Sequence, residues 1–277
     1  MSPITEQYVA LAERIAARLG SPRVRALHLP PPTGTKEAEF CALELDDGSI
    51  GFSYIQLAGT EEPLREHYGA GGIGDIEAVV LARGFAESDP VARALGFAAI
   101  NALSQAMFAR ANWIPPAGGD PLGAIDPQRG EHIGMIGLFR SLLPLIERAG
   151  ARLTVLELKP ELVREERNLR VTLDPAELAS CEKVVSTCTV LLNDTLDAVL
   201  AACRNARHIA VVGPTAGCVP DPLFARGVAT LGGRRVVDRE RFLEAFRRGA
   251  KWGAYATKYV IARVNYPGIE RLLERAA

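Results

Sequence analysis

The residues of this sequence best suited to chemistry follow short apolar runs, where strands of a parallel sheet would end. Gly134 and Gly137 close the run at 132–136, and Glu157 lies 20 residues further on, near the end of the next run. A glycine turn lets a nucleoside or phosphate approach the backbone. A carboxylate at the end of the second strand can accept hydrogen bonds from both ribose hydroxyls. These residues predict a nucleotide or S-adenosylmethionine site. The alternative is that the glycines only allow close helix packing and that Glu157 is a solvated strand end.

Hydroxyl and amide groups follow the next two apolar runs. Thr187 ends the run at 183–187, Asn193, Asp194 or Thr195 can cap the helix that follows, and Gly213-Pro214-Thr215 follows the run at 209–212. Parallel sheets bind ligands outside the carboxyl ends of their strands. We therefore expect these groups to gather at one edge of the sheet.

Two cysteines, Cys188 and Cys218, fall at the same predicted strand ends. Thiolates suit a soft metal if both side chains face the cleft, whereas free cysteines that are buried act as small hydrophobes. The four histidines are scattered, without metal-like spacing, and no Ser-His-Asp or Cys-His set can be argued. The pair is therefore a candidate metal site that lacks a histidine partner.

A literal G-x-G-x-x-G occurs at residues 69–74, but its context differs from that of a dinucleotide fingerprint. The stretch before it, 61–68, is polar and contains a proline. The fingerprint needs a buried strand that delivers the chain into the turn. A loop is the better interpretation of this motif.

The elements that would position these residues change in type along the chain. Before residue 113 the patterns predict helices at 5–19, 75–82 and 90–109 and a hairpin of strands at 40–45 and 50–55 around an Asp-Gly turn. After residue 130, strands alternate with helices at 139–149, 195–204, 222–230 and 239–248, the pattern of a parallel sheet, with a late strand at 235–237. Four prolines and four glycines in 114–130 predict the boundary. We expect an N-terminal α+β domain (1–113), a linker (114–130) and a Rossmann-like α/β domain (131–277).

Composition narrows the class of protein. The 277 residues carry a net charge of −1, divided between 10 basic and 16 acidic residues in 1–130 and 22 basic and 17 acidic residues in 131–277. A near-neutral total argues against bulk capture of nucleic acid. Five cysteines without a C-x-x-C pair, no signal-like N-terminus and no apolar run of about 20 residues predict a reduced, cytoplasmic protein without a membrane segment.

Four stretches together resemble a family of proteins of unknown function associated with heavy-metal chelation: residues 95–103, 191–196, 212–215 and 251–259. The resemblance covers nearly the whole chain. It implies an enolase-N-terminal-like domain followed by a Rossmann-like domain, with the active site between them. The family's activity is itself inferred from a partial likeness to methyltransferase-type sheets and from association with metal and chelator metabolism.

The resemblance also implies site residues. Asn101, Asn193, Thr195 and the segment Gly213–Thr215 match its motif positions, and Tyr54 is a further candidate. Thr187 matches a family threonine that a small residue usually follows. Cys188 departs from that pattern, so a thiol role would be particular to this chain.

Three hypotheses follow. The first is a cytoplasmic protein that binds a small polar ligand or metal chelate between its domains. The second is an enzyme, for example a methyltransferase-like one, that catalyses a condensation, hydrolysis or transfer reaction on a nucleoside-containing substrate such as S-adenosylmethionine. In it Glu157 would hold the ribose, the Gly134–Gly137 turn would receive the amino-acid or phosphate portion, and Asn101, Asn193 and Thr215 would orient the reacting group. The third is an interaction protein in which the small-residue helix face around Ala98 packs a homodimer. The cofactor would be a metal ion or S-adenosylmethionine, and the basic C-terminal half would favour an anionic or zwitterionic ligand.

Overall fold

The computed structural model describes residues 3–69, 72–118 and 124–276. Within these ranges the chain forms a three-stranded antiparallel sheet, an eight-stranded and mostly parallel sheet, and the helices that cover them. The predicted fold class is confirmed: a mixed α/β protein with an antiparallel N-terminal sheet and a parallel C-terminal sheet. The G-x-G-x-x-G motif lies partly outside the described residues, because they omit Ala70 and Gly71.

The N-terminal sheet has the order β1-β2-β3, and each pair is antiparallel. The predicted Asp-Gly turn joins β2 to β3; there Gly48 has a φ of +87° and the Ser49 amide donates to Asp47 Oδ1 at 2.8 Å. The elements of this part are α1 (Ile4–Leu19), β1 (Val24–His28), β2 (Phe40–Leu45), β3 (Ile50–Tyr54), α2 (Glu61–Tyr68), α3 (Ala78–Arg83) and α4 (Pro90–Arg110).

Helix α4 is the central helix of the N-terminal part. It begins as the sequence predicts, with Pro90 in the first turn and the Asp89 carboxylate accepting the Ala92 amide at 2.7 Å. It is the one helix of the described residues that is long and apolar enough to suit a membrane span, but 83% of its apolar window is buried in the fold. The face that includes Ala98 and Ala102 packs inside the molecule against β3, so it is not a dimer surface.

The C-terminal sheet has the order β11-β10-β9-β8-β4-β5-β7-β6. Its six central strands are parallel, and the edge strands β11 and β6 are antiparallel to their neighbours. The strand order reverses between β4 and β8, which makes their carboxyl ends the switch point. The elements are β4 (His132–Ile136), α5 (Leu143–Ala149), β5 (Arg152–Leu156), β6 (Arg164–Glu166), β7 (Leu169–Thr172), β8 (Lys183–Thr187), α6 (Leu196–Ala202), β9 (His208–Val212), α7 (Asp221–Ala225), β10 (Thr230–Val236), α8 (Arg239–Arg247), β11 (Ala256–Ala262) and α9 (Ile269–Arg275).

Two parts of the predicted pattern differ from the structure. The helix expected at 222–230 ends at Ala225, and the strand expected at 235–237 begins at Thr230. Gly232 and Gly233 interrupt the apolar pattern of β10, yet the structure needs Gly233, because a Cβ there would lie 2.2 Å from the Ala216 carbonyl oxygen. The edge strands β6 and β11, and β7 next to β6, were not predicted, since their exposed, charged residues interrupt the apolar pattern of a strand.

The largest hydrophobic cluster contains side chains from both sides of residues 114–130. Phe97 and Leu103 of α4 belong to the same cluster as Val184 and Val211 of the parallel sheet. A second cluster, with Met135 at its centre, covers the opposite face of that sheet. The boundary at 114–130 stays a prediction, and residues 119–123 of it lie outside the described residues.

Candidate functional site

A cleft of about 1020 Å³ opens at the carboxyl ends of the parallel strands. One wall comes from the loops after the parallel strands, and the other comes from residues around β2 and β3 of the N-terminal sheet. Most of the predicted site residues line it: Tyr54, Gly137, Glu157, Thr187, Asn193, Thr195, Gly213, Pro214 and Thr215. The parallel sheet thus brings together side chains that are far apart in the chain.

The glycine turn after β4 and the acid after β5 are in direct contact. Gly137 has a φ of +77°, which favours glycine, and the next amide, of Leu138, donates to Glu157 Oε1 at 2.6 Å. Glu157 Oε2 accepts the Leu158 amide at 3.0 Å. The carboxylate therefore has a fixed orientation at the floor of the cleft and keeps further lone pairs for a ligand.

Gly134, the other glycine of the predicted turn, has a packing role. It lies within β4, and a Cβ there would approach Val184 Cγ2 to 3.1 Å and Cys181 Sγ to 3.2 Å. It is absent from the residues that line the cleft. The alternative interpretation, close packing, is therefore the one that the geometry favours at this position.

The loop after β8 supplies the hydroxyls and an amide. The Thr187 and Thr189 hydroxyls lie 2.9 Å apart, and the Thr187 oxygen also accepts the Thr189 amide at 3.3 Å. The Thr195 hydroxyl donates to Asn193 Oδ1 at 2.7 Å. Among the described residues the Asn193 Nδ2 group has no hydrogen-bond partner, so it can donate to a ligand.

The loop after β9 is held from behind through three consecutive peptide carbonyls. Thr215 O accepts Asn101 Nδ2 at 2.8 Å, Ala216 O accepts the Tyr259 hydroxyl at 3.0 Å, and Gly217 O accepts Gln105 Nε2 at 2.8 Å. Asn101 and Gln105 are one turn apart on α4. This helix therefore sets the position of the Gly213–Thr215 wall of the cleft.

Asn101 does not line the cleft. Its side chain is fully buried, and Nδ2 donates to Phe52 O of β3 at 2.7 Å as well as to Thr215 O. Its Oδ1 is buried with no hydrogen-bond partner. The structure therefore places Asn101 as a positioning residue that joins the N-terminal hairpin to the cleft wall, behind the site where the resemblance implied a catalytic role.

Tyr54 ends β3 and lines the cleft from the N-terminal side. Burial raises the pKa of its phenol to about 12, and the carboxylates of Glu39 and Glu157 add to the rise. The phenol is therefore protonated at neutral pH. It is suited to donate a hydrogen bond to a ligand, and unsuited to act as a base.

Cys188 and Cys218 lie in the core instead of the cleft. Both are fully buried; Cys218 Sγ lies 3.2 Å from the Tyr8 hydroxyl, and Cys188 Sγ lies 3.5 Å from Thr215 O. Burial raises the pKa of Cys218 to about 12 and that of Cys188 well above its ordinary value. Because both side chains lie in the core and neither lines the cleft, the pair is not positioned to bind a metal that occupies the cleft.

The other described residues form no cluster of metal-binding side chains either. Among residues 3–69, 72–118 and 124–276, no group of three or more His, Cys, Asp or Glu side chains is arranged to hold a metal ion.

The cleft also contains charged and aromatic residues that the sequence reasoning did not single out. Arg234 and Lys258 lie on neighbouring strands, Trp252 packs beneath Arg234, and Lys36 and Glu39 line the N-terminal side. The signal for some of them was present, since Trp252 and Lys258 fall in the 251–259 stretch that carried the resemblance. Their roles depend on pairing between β10 and β11, which the sequence pattern did not reveal.

The comparisons with known proteins agree on the family. The sequence profile of DUF364, described as "Putative heavy-metal chelation", matches residues 120–265, and that of DUF4213, with the same description, matches residues 38–104. An uncharacterized protein of Methanocaldococcus jannaschii is 28% identical over 241 residues, which cover 79% of this chain and 86% of that protein. The resemblance inferred from the sequence is confirmed.

Two crystal structures of DUF364 proteins with unknown function have the same fold. The protein from Pyrococcus horikoshii is 20% identical, with a TM-score of 0.64 over 94% of this chain and 98% of that one. The protein from Desulfitobacterium hafniense is 21% identical, with a TM-score of 0.66 over 92% and 98%. At these identities the likeness establishes the fold alone.

Proposed function

The chain belongs to the DUF364 family, whose description is "Putative heavy-metal chelation", and from this premise we propose that its cleft binds a small polar chelating molecule or the metal chelate of such a molecule. The observation that carries the proposal is the cleft itself. It lies at the carboxyl ends of the parallel strands, next to the switch point, where open α/β sheets bind their ligands. The N-terminal sheet would close it as an interdomain site.

The composition of the cleft supports a ligand that carries charge of both signs. Its walls contain both cations and carboxylates, together with the hydroxyls of Thr187 and Thr195. The basic residues that line the cleft are Lys36, Arg140, Lys159, Arg234 and Lys258, and the acidic residues are Glu37, Glu39, Glu157 and Glu161. A chelator with amine and acid groups has a matching pattern of donors and acceptors.

The donor set favours a chelate over a bare metal ion. Because the described residues include no cluster of three or more metal-binding side chains and Cys188 and Cys218 lie in the core, the protein would recognise the organic part of the ligand. The metal is then cargo, coordinated by the chelator.

The cellular setting follows from the cysteines. All five are free and buried, which suits a reducing compartment, and we propose a cytoplasmic location. A homodimer remains a prediction, now without the α4 face as its surface.

The test is a thermal-shift panel with citrate and ethylenediaminetetraacetate, each alone and as the Ni²⁺ and Zn²⁺ complexes, and with the metal ions alone. Binding to the folded state at one hundred times Kd adds about 2.7 kcal/mol of stability, which raises Tm by about 5 °C for a chain of this size. We expect at least one chelator or chelate to give this rise and the free ions to give none. A panel in which no chelator or chelate raises Tm would contradict the proposal.

A variant that fills the cleft shows whether the rise in Tm comes from binding in the cleft. Ala198 lies on the exposed side of α6 and lines the cleft, so Ala198→Trp fills the site without disturbing the core. Ala201 is an exposed residue of the same helix outside the cleft lining, and Ala201→Trp is the matched control. The Tm rise is expected to disappear in the first variant and to persist in the second.

One observation favours a second candidate function, an enzyme that acts on a nucleoside-containing substrate. Glu157 stands at the tip of β5 against the Gly137 turn, with its oxygens fixed by the amides of Leu138 and Leu158. In nucleotide-binding and S-adenosylmethionine-binding sheets, a carboxylate at this position accepts hydrogen bonds from the ribose hydroxyls. The neighbouring Leu138 and Leu158 side chains line the cleft and offer apolar surface to a base.

For this candidate we expect Glu157→Gln to weaken binding of S-adenosylmethionine or adenosine at least tenfold, which is about 1.4 kcal/mol. The glutamine keeps an oxygen for the Leu138 amide, but it loses the negative charge and the acceptor that holds the Leu158 amide. Calorimetric titration measures the affinity, with Glu161→Gln, an exposed acid of the same cleft, as the control. Equal affinities in wild type and Glu157→Gln, or no binding to wild type, would remove this candidate.

A further inference from the structure

Two cations of the cleft stand directly opposite each other on an antiparallel pair of strands. Arg234 of β10 pairs with Lys258 of β11, and both line the cleft. Residues directly opposite in such a pair share one face of the sheet, and like charges there destabilise the pairing. The fold keeps this pair although it opposes stability.

Arg234 is half-buried without a carboxylate partner. Its Nη1 donates to Ala256 O at 2.9 Å and to Gly253 O at 3.3 Å, and its guanidinium lies 5.3 Å from the centre of the Trp252 ring. No ion pair is recorded for Arg234 or Lys258 within the described ranges. Burial lowers the pKa of Arg234, and no carboxylate opposes this effect.

Several other partly buried arginines have a carboxylate partner: Arg65 pairs with Glu61 at 2.8 Å, and Arg226 pairs with Asp197 at 2.9 Å. Arg235, the next residue of β10, has no ion pair among the described residues either, but it does not line the cleft. Because a half-buried charge without a counter-ion is costly, the position of Arg234 in the cleft indicates that its positive charge is left for a partner outside the chain.

The residues around Arg234 hold its guanidinium group in place. Trp252 is buried beneath the guanidinium and stacks on Phe52 of the N-terminal sheet at 5.3 Å between ring centres, so the platform is rigid. Gly232 and Gly233 precede Arg234 and also line the cleft, so this part of the wall is mainly backbone. A planar guanidinium held in this way presents paired donors that match a carboxylate or a phosphate.

We propose that Arg234, with Lys258 beside it, forms the oxyanion subsite of the cleft and binds the carboxylate or phosphate group of the ligand. The inference rests on the proposed function and makes it more specific, because it requires the ligand of the cleft to carry at least one carboxylate or phosphate group. Lys36 and Lys159 are less suited to this role, because both lie near the Glu39 carboxyl group and their positive charges already interact with it.

The test uses equilibrium dialysis of the full chain against radiolabelled citrate and, separately, radiolabelled inorganic phosphate, in metal-free buffer of constant ionic strength. We expect saturable binding of at least one anion at one site per chain. Preference for citrate identifies a carboxylate ligand, and preference for phosphate identifies a phosphorylated one. Absence of saturable binding of both anions would overturn the proposal.

Substitutions assign the binding to the subsite. Arg234→Gln is expected to raise Kd at least tenfold and Lys258→Gln about threefold, whereas Arg248→Gln, which removes an exposed arginine of another surface, leaves Kd unchanged. Lys258 is exposed, so its variant keeps the test valid if Arg234→Gln fails to fold. Equal Kd values in wild type and Lys258→Gln, together with Arg234→Gln where it folds, would overturn the subsite.

The outcome is separable from that of the proposed function. If chelates raise Tm equally in wild type and in the Arg234 and Lys258 variants, the oxyanion subsite is wrong and the chelate-binding cleft stands. If no chelator or chelate raises Tm but inorganic phosphate binds and its binding depends on Arg234, the subsite stands and the chelation proposal fails.

Discussion

Replacing Gly51 by alanine is expected to lower the free energy of unfolding by about 3 kcal/mol or more. A Cβ at this position would lie 2.2 Å from both the Ala102 nitrogen and the Ala98 carbonyl oxygen of α4. Both are backbone atoms of a buried helix, so no side chain can rotate away. Strand β3 would have to move from α4, and the contact between Phe52 O and Asn101 would be lost with it.

Urea denaturation of Gly51→Ala measures this change. Gly74→Ala is the matched control, because no atom lies within 4 Å of a Cβ at Gly74 and its φ is not positive. We expect the control to change the free energy of unfolding by less than about 0.5 kcal/mol. A Gly51→Ala protein with the stability of wild type would show that β3 and α4 are further apart than described.

Asn101→Leu is expected to cost about 2–6 kcal/mol of stability and to weaken ligand binding. The leucine is of similar size but cannot donate, so Phe52 O and Thr215 O each lose a buried hydrogen bond. Each such loss costs about 1–3 kcal/mol when the carbonyl is left without a partner. Because Thr215 belongs to the cleft wall, the loop after β9 would lose its anchor on α4.

The comparison for Asn101 is Asn205→Leu. Asn205 also donates its Nδ2 to a peptide carbonyl, that of Ala179 at 2.7 Å, but it is exposed, so water replaces the lost bond. Its expected cost is below about 1 kcal/mol. Urea denaturation gives both values, and the Tm rise with a bound chelate reports on the cleft. Equal costs for the two variants would mean that burial of Asn101 contributes nothing.

Part of the site follows from the sequence because it depends on strand ends. Gly137, Glu157, Thr187 and Asn193 each follow an apolar run, and parallel pairing of such runs brings their ends to one edge. The helix start at Pro90 was predicted for a similar reason, since capping is decided by neighbouring residues.

Other features depended on contacts between distant segments. The pattern of β10 was hidden by Gly232 and Gly233, whose small size matters only beside Ala216 and Val212. The resemblance placed Asn101 in the active site, but whether its side chain faces the cleft or the wall behind it depends on how α4 packs. The positions of Cys188 and Cys218 were undecided for the same reason, because a strand-end cysteine can face the cleft or the core.

The sequence alone was therefore enough to predict the fold class and the edge of the parallel sheet at which polar groups gather, because periodicity, caps and turns are local. The family followed from the resemblance of four stretches of the sequence. Only the tertiary structure decided which of these groups share the cleft. It placed the thiols and Asn101 behind the cleft wall and set Arg234 opposite Lys258. The physical reason is that burial, hydrogen-bond partners and the cost of an uncompensated charge are set by neighbours that are distant in the chain.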